Sequence, residues 1–110
     1  GHLAFALLFR RLNKLEELNL TRVQIVGRAL ILLIATHLGP TLQSLDITGC
    51  KEVKDEEIIY LAQHCPKLRY LNVRYCKGLE AVLLDKHLPE LLPECQIERD
   101  RPRFDQQQAD

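Results

Sequence analysis

The chain has 110 residues, with 15 Lys and Arg balanced by 15 Asp and Glu, 46% hydrophobic residues, and neither Met nor Trp. That length allows one domain and is too short for two independent cores. The zero net charge gives no electrostatic reason to expect nucleic acid or an anionic membrane surface as a partner. The longest apolar stretches, Leu3 to Phe9 and Ala29 to Ala35, are far shorter than the roughly 20 residues that span a bilayer.

The first predicted element is an apolar helix near the N-terminus. Residues 3–9 read Leu-Ala-Phe-Ala-Leu-Leu-Phe, and a helix that is apolar nearly all round is expected to be buried on every side. The chain also contains a repeat, described below, and four residues here match the core-facing positions of its helices: Phe5, Leu8, Phe9 and Leu12. We therefore predict that this helix packs against a preceding unit or against a second copy of the chain. The contacts in such a homodimer, or with a preceding repeat that is absent from this chain, would be made by Leu3, Phe5, Leu8 and Phe9.

A repeated leucine pattern covers most of the remaining sequence, and 22 of the 110 residues of the chain are Leu. The motif Leu15-Glu-Glu-Leu-Asn-Leu recurs as Leu42-Gln-Ser-Leu-Asp-Ile and as Leu68-Arg-Tyr-Leu-Asn-Val, at spacings of 27 and then 26 residues. A recurrence of this length indicates a solenoid, whose units bury a core only by stacking on their neighbours.

Each unit combines a strand with a helix. The end of the leucine motif alternates with a period of two, which predicts a short strand with one buried face. Between Asp55 and His64 the apolar residues recur at helical spacing; Asp55 is expected to cap this helix and Pro66 to end it. About three and a half stacked units predict an α/β solenoid, with a short parallel sheet on the concave face and helices on the convex face.

The segments after the strands identify the type of repeat. Cys50-Lys-Glu-Val-Lys-Asp and Leu61-Ala-Gln-His-Cys-Pro carry a cysteine after the strand, an acidic helix start and an Ala-x-His-Cys-Pro end. Over about residues 12–97, this pattern resembles the cysteine-containing leucine-rich repeat. The first unit departs from it, since Val23 stands where the cysteine belongs and Gly27-Arg28 where the acidic cap belongs.

The resemblance implies a protein-interaction module and not an enzyme. This repeat type is commonest in F-box/leucine-rich-repeat proteins, the substrate receptors of cullin-based (SCF) ubiquitin ligases. It also occurs in scaffolds without an F-box, such as mitochondrial assembly factors. We therefore expect the C-terminal substrate-recognition repeats of an F-box-type E3 ligase receptor, in the cytoplasm or nucleus. The alternative is a scaffold or assembly factor, with a mitochondrial location for the latter.

The extent of the repeats gives further expectations. Residues 1–98 are predicted to form the leucine-rich-repeat domain, with a reduced last strand at Cys95-Gln-Ile97. Residues 99–110 are predicted to be a disordered C-terminal tail, because they are polar and interrupted by proline. The Gly1-His2 start in a chain without Met suggests a fragment of a longer protein.

The cysteines and histidines carry no catalytic or cofactor motif. Neither a Cys-x-x-Cys pair nor a phosphate-binding glycine loop occurs, so no metal, cofactor or enzymatic activity is predicted. Cys50 and Cys76 occupy the same position of adjacent units, roughly 5 Å apart, and are expected to be buried thiols. A disulfide is the alternative in an oxidising compartment. His37, His64 and His87 lie near predicted helix ends, where the helix dipole favours them, with a shared metal site as the alternative.

The concave face is the remaining candidate site. The outward-facing strand residues are predicted to form three ladders: Glu17, Ser44 and Tyr70; Asn19, Asp46 and Asn72; Thr21, Thr48 and Arg74. Tyr and Arg are enriched among the residues that anchor protein interfaces. The predicted partner-binding patch consists of Asp46, Tyr70, Asn72, Arg74 and Tyr75. The alternative is an ordinary solvated sheet face on which Arg74 neutralises Asp46.

Overall fold

The computed structural model describes residues 2–23 and 27–101. These residues form the helices α1 (His2–Arg11), α2 (Arg28–Leu38), α3 (Asp55–His64) and α4 (Leu88–Leu91). They also form the strands β1 (Glu17–Asn19), β2 (Ser44–Asp46), β3 (Tyr70–Asn72) and β4 (Gln96–Glu98). The strands pair in chain order in one parallel sheet, and each helix contacts the next one along the chain. The predicted α/β leucine-rich-repeat solenoid is confirmed.

The strand register follows the sequence period. Leu45 of β2 lies opposite Leu18 of β1 and Leu71 of β3, and Ile97 continues this row in β4. The flanking rows match the predicted ladders, since Asp46 lies opposite Asn19 and Asn72. Because strand side chains alternate, this register directs one row of each strand into the core and places its neighbours on the concave face.

The core lies between the sheet and the helices and is shared by all the units. Leu45 and Leu71 of the strands, and Ile34 and Leu61 of the helices, are fully buried. Burial of one such side chain contributes about 1.5–3 kcal/mol relative to leaving it exposed. Since every unit buries its apolar stripe against the next one, stability depends on the stack and not on any single repeat.

The start of α3 differs from the prediction. Helix α3 is preceded by Lys54, whose N–H donates to Glu57 Oε1 at 2.9 Å. Asp55 Oδ1 instead accepts the N–H of Glu80 in the next unit, at 3.0 Å. The prediction that Asp55 caps its own helix is wrong, because Glu57 already fills that role within the first turn. Asp55 instead ties two neighbouring repeats together.

The helical segment of the third unit changes helix type along its length. A π-helical turn, Leu83–His87, leads directly into α4, and the N–H of Leu88 donates to the carbonyl of Leu83. Pro89 follows and has no N–H to continue the ordinary helical pattern. The strand spacing is nonetheless unchanged, because Gln96 lies opposite Tyr70 at the same offset of 26 residues that separates Tyr70 from Ser44.

The described chain continues beyond β4 in contact with the solenoid. Arg99, which falls in the predicted tail, forms an ion pair with Asp85. Residues 102–110, the rest of the predicted disordered tail, lie outside the described residues, as does Gly1. The helices of residues 2–23 and 27–101 include none with the length and hydrophobicity of a membrane span.

Candidate functional site

The same side-chain turn ends each of the first three strands. Oδ1 of Asn19, Asp46 and Asn72 accepts the backbone N–H two residues later, at 2.9, 3.0 and 3.1 Å. Asp46 Oδ1 also accepts the hydroxyl of Thr48 at 2.7 Å. Such turns compete with continued strand pairing, so this ladder ends the strands at a constant point. The predicted site residues Asp46 and Asn72 therefore hold the shape of the concave face.

The residue after each turn has a left-handed backbone conformation. Arg22, Gly49 and Tyr75 have φ angles of 60°, 85° and 59°. The Arg22 N–H donates to Thr48 O at 3.1 Å, and the Gly49 N–H donates to Arg74 O at 2.8 Å. Glycine adopts this conformation freely, whereas Arg or Tyr pays about 1–2 kcal/mol for it. The repeat thus fixes two exposed side chains, Arg22 and Tyr75, where the strands leave the sheet.

Asp100 completes this row in the last unit. The Tyr75 N–H donates to both carboxylate oxygens of Asp100, at 3.0 and 3.2 Å. Asp100 lies 26 residues after Arg74, and the Arg74 carbonyl accepts the N–H of Gly49 in the preceding unit. A carboxylate therefore replaces the backbone carbonyl at the C-terminal end of the sheet. Sequence reasoning missed this residue, although one more step of the 26-residue period reaches it.

Three of the five predicted patch residues form one hydrogen-bonded network. The Asn72 side-chain amide donates to Tyr70 Oη at 3.2 Å and to Asp46 Oδ2 at 3.4 Å. Asn72 is only 6% exposed, and Tyr70 and Asp46 are half-buried. Because the Tyr70 oxygen accepts the bond from Asn72, its own O–H stays able to donate outward.

The charge on Asp46 is stabilised by its turn. Burial acts to raise the pKa of Asp46, but the hydrogen bonds from Thr48 and Thr21, with the positive charge of Arg74, hold it below the ordinary value of 3.8. Asp46 is therefore ionised at neutral pH, and its negative charge is engaged by neighbouring donors.

Arg74 pairs with Glu98 and not with Asp46. Arg74 Nη2 lies 3.1 Å from Glu98 Oε2, and the Arg74 side chain remains 47% exposed. The charge of Arg74 still acts on Asp46, but the ion pair of Arg74 is with Glu98, which β4 brings to the next strand position. Glu98 was also missed by sequence reasoning, although it stands 26 residues after Asn72 and opposite it in the sheet.

Tyr75 projects from the edge of the sheet at which the strands end. Its side chain is 57% exposed, and Lys77 Nζ lies 6.0 Å from the centre of its ring. This distance is at the outer limit of a cation–π contact. Tyr75 thus lies beside the network of Tyr70 and Asn72, not within it, and Lys77 is a neighbour that sequence reasoning missed.

The apolar face of α1 is divided between core and surface. Phe9 is 2% exposed and packs against Phe5, with ring centres 5.9 Å apart. Leu8 and Leu12, which were predicted to face inward, are 47% and 40% exposed. That part of the prediction is wrong, because the inward stripe follows Phe5 and Phe9 only. Together with Leu3 and Leu7, the two leucines form an exposed apolar face on α1 and the residue that follows it, defined by Leu3, Leu7, Leu8 and Leu12.

The cysteines pack as free thiols in the structure. Cys50 and Cys76 are buried, and the Cys76 thiol donates to the carbonyl of Ile47 at 3.2 Å. The hydrogen bond between the two thiols, together with burial, raises the pKa of Cys50, and the same bond lowers the pKa of Cys76. Burial alone raises the pKa of Cys65 to about 12.

The histidines lie near helix ends in different settings. The His64 ring stacks on Tyr60 with centres 3.9 Å apart, and His64 Nδ1 lies 2.8 Å from the Tyr60 carbonyl oxygen. His37 is half-buried and His87 is exposed. In residues 2–23 and 27–101, no three His, Cys, Asp or Glu side chains come together in a group that could hold a metal ion.

Comparison with known families agrees with this geometry. The sequence model described as leucine-rich repeat matches residues 40–62 and 64–82, which span β2, α3, β3 and the turn that follows. Together with the parallel sheet, the match shows a leucine-rich-repeat solenoid. Such repeats typically serve as non-enzymatic modules for protein interaction, so a protein is the class of partner that the fold suggests.

Proposed function

We propose that this chain forms the C-terminal substrate-recognition repeats of an F-box-type (SCF) ubiquitin ligase receptor, and that its concave face binds the protein to be ubiquitinated. The observation that supports a binding role is the exposed pair Arg74 and Tyr75 beside the free O–H of Tyr70. Arg and Tyr side chains most often anchor protein interfaces. The transfer of ubiquitin itself would fall to other subunits of the ligase.

The concave patch is suited to binding because its backbone is held rigidly. The turns made by Asp46 and Asn72, and the core beneath them, keep Tyr70 and Arg74 at a set distance. A preorganised patch loses little conformational entropy when a partner binds. Arg74 contacts Glu98 through Nη2, so other N–H groups of its guanidinium can donate to a partner carboxylate or carbonyl.

The experiment that tests the concave face uses the full-length protein expressed in cells. The double variant Tyr70→Ala, Arg74→Ala should lose the partners that the unchanged protein recovers in an affinity purification. A matched double variant on the convex side, Lys86→Ala, Glu90→Ala, alters two exposed residues and should keep them. Recovery of the same partners by the concave variant, with its circular dichroism spectrum unchanged, would overturn the concave-face assignment.

The ligase assignment has its own test. If the proposal holds, the full-length protein co-purifies with a cullin subunit, and this association persists in the concave-face double variant because the F-box lies elsewhere. A full-length protein that never associates with a cullin would refute the ligase role and leave the interaction role intact. A fluorescent fusion then distinguishes the proposed cytoplasmic or nuclear location from a mitochondrial one.

A scaffold without an F-box is the second candidate, and the exposed apolar face of α1 favours it. Leu3 and Leu7 are 74% and 52% exposed, and Leu7, Leu8 and Arg11 line a shallow depression of about 350 Å³. Exposed leucines grouped on one helix mark a surface that another apolar face covers. We propose that a second copy of this chain covers it, forming a homodimer through α1.

A further inference from the structure

The edge of the sheet at which the strands end carries a row of side chains that the concave patch does not use. We call this row the strand-exit rim and define it by Arg22, Gly49, Lys51, Tyr75 and Lys77. Arg22, Gly49 and Tyr75 occupy one position of three successive units, and Lys51 and Lys77 another position of two. The five residues therefore lie in two adjacent rows that cross the strands.

The rim contains a notch at Gly49. A Cβ added at Gly49 would find no atom within 4 Å, so the space above this residue is open. Arg22 and Tyr75 flank Gly49 on either side, each one strand spacing away, which places their Cα atoms roughly 10 Å apart. This width accommodates one extended side chain between the Arg22 guanidinium and the Tyr75 ring.

The rim is predominantly cationic. Among the described residues, Arg22, Lys51 and Lys77 form no ion pair with a carboxylate, whereas Arg28, Arg74 and Arg99 all do. Two acidic residues lie close to the rim. Asp100 accepts the N–H of Tyr75, and Glu52, the neighbour of Lys51 in the chain, is exposed.

Backbone strain is concentrated at the same place. Arg22 and Tyr75 hold left-handed conformations where the equivalent unit has Gly49, the residue that adopts them without cost. Strained residues persist where the surrounding structure enforces them and often belong to binding sites. Here the strain places a cation and an aromatic ring on opposite sides of the notch.

We infer that the strand-exit rim binds an acidic segment of a protein partner, with one Asp or Glu side chain inserted above Gly49 between Arg22 and Tyr75. Lys51 and Lys77 then face the flanking carboxylates of the same segment. This inference rests on the proposed function only in taking the partner to be a protein, and it extends the contact surface from the concave patch to the adjoining edge.

The test uses the ¹⁵N-labelled 110-residue chain and a decapeptide of alternating Glu and Gly. Titration should shift the amide resonances of Arg22, Gly49, Lys51, Tyr75 and Lys77 first. A decapeptide of alternating Lys and Gly should leave them in place. Raising the ionic strength from about 0.01 M to about 0.1 M shortens the screening length from roughly 30 Å to roughly 10 Å, and should weaken binding. Shifts spread evenly over the lysines, Lys67 and Lys86 included, would overturn the inference.

Two variants separate charge from shape. The double variant Arg22→Gln, Lys77→Gln should bind the acidic peptide about fivefold more weakly, the effect of losing two exposed ionic contacts. Gly49→Asn keeps the charge and tolerates the left-handed conformation, but fills the notch, so binding should also weaken. The control Lys67→Gln removes an exposed cation outside the rim and should bind as tightly as the unchanged chain. Undiminished binding by Gly49→Asn would refute insertion at the notch.

The remaining outcomes are equally decisive. Tighter binding of a decathymidylate than of the acidic peptide at the rim would show that the cations serve nucleic acid, contrary to the inference. In one outcome, the full-length Arg22→Gln, Lys77→Gln variant loses its cellular partners while Tyr70→Ala, Arg74→Ala keeps them. That result would support binding at the strand-exit rim and refute binding at the concave patch. The reverse pattern, with no peptide binding, rejects the rim alone.

Discussion

Arg28 and Glu57 form an ion pair between neighbouring repeats, with Arg28 Nε 3.0 Å from Glu57 Oε1. The Glu57 side chain is 5% exposed, and its carboxylate also accepts the N–H of Lys54 at 2.9 Å. Arg28 donates in addition to Glu56 Oε2 at 2.7 Å, but the Glu56 side chain is 75% exposed. Arg28 stands where the first unit departs from the acidic helix start of the others. It therefore provides the positive partner for the acidic start of α3.

We expect Glu57→Ala to destabilise the fold, by about 1–2 kcal/mol for the lost helix cap. Glu56→Ala is the matched control, since it removes a carboxylate from the same first turn and should change stability by less than about 0.5 kcal/mol. Urea unfolding followed by circular dichroism measures both variants. Equal decreases in the free energy of unfolding of the two variants would show that the buried contacts of Glu57 do not stabilise the fold.

Gly39 determines how closely the ends of α2 and α3 pack. A Cβ at this position would lie 2.2 Å from the His64 carbonyl oxygen and 2.5 Å from that of Ala35. Gly39→Ala should therefore destabilise the chain by about 1–3 kcal/mol, although alanine usually favours helical backbone. Gly27→Ala is the comparison, because its Cβ meets only Glu52 at 3.9 Å. A stabilising Gly39→Ala substitution in thermal unfolding would contradict this packing.

Asp46 should give the fold a measurable pH dependence. Its pKa in the folded state lies below the ordinary value of 3.8, so ionised Asp46 stabilises the fold above that pH. The contribution is lost as the pH falls below 3.8 and through the lowered value. Asp46→Asn keeps the Oδ1 acceptor, as Asn72 does in the next strand, and should cost about 1 kcal/mol at neutral pH.

The free energy of unfolding, measured in urea at a series of pH values, tests this expectation. The unchanged chain should lose stability more steeply than Asp46→Asn as the pH falls below about 3.8, so the two curves converge. Parallel curves would show that Asp46 has the same pKa in the folded and unfolded chains.

The cysteines should differ in reactivity according to burial. Cys95 is half-buried, whereas Cys50, Cys65 and Cys76 are buried. Burial raises the pKa of Cys95 to about 11, so its thiolate is scarce at neutral pH, but a reagent can still reach it. With a maleimide reagent, the folded chain should label first at Cys95 and label the other three at the rate of unfolding. Mass spectrometry of digests would contradict this order if Cys76 reacted as fast as Cys95.

The exposed face of α1 predicts self-association. Leu8→Asp places a charge on this face without touching Phe9, and should shift a dimer toward the monomer in sedimentation equilibrium. Leu91→Asp, on the 40% exposed Leu91 of α4, controls for a general effect of an added charge and should leave the dimer intact. A chain that sediments as a monomer at high concentration would count against the homodimer.

The sequence by itself determined the repeat and its register. The motifs beginning at Leu15, Leu42 and Leu68 predict parallel strands in chain order, and Asp46 does lie opposite Asn19 and Asn72. This succeeded because stacked units must place equivalent apolar residues in one core, so the period of 26 or 27 residues leaves a single register. The residues that can face a partner followed from strand alternation for the same reason.

Only the tertiary structure decided which polar groups meet. Arg74 could pair with Asp46 or with Glu98, and in the structure it pairs with Glu98. Asp55 could accept a hydrogen bond from its own helix or from Glu80, and it accepts the N–H of Glu80. In both cases the contact is made with the following unit. Polar side chains have several partners within reach along a sequence, and the choice depends on distances of an ångström or less. The same holds for α1, whose apolar residues fit more than one inward stripe until packing on α2 buried Phe9 and left Leu8 exposed. The sequence period thus predicts which residues are buried, whereas the hydrogen bonds and ion pairs of the surface depend on how neighbouring units pack.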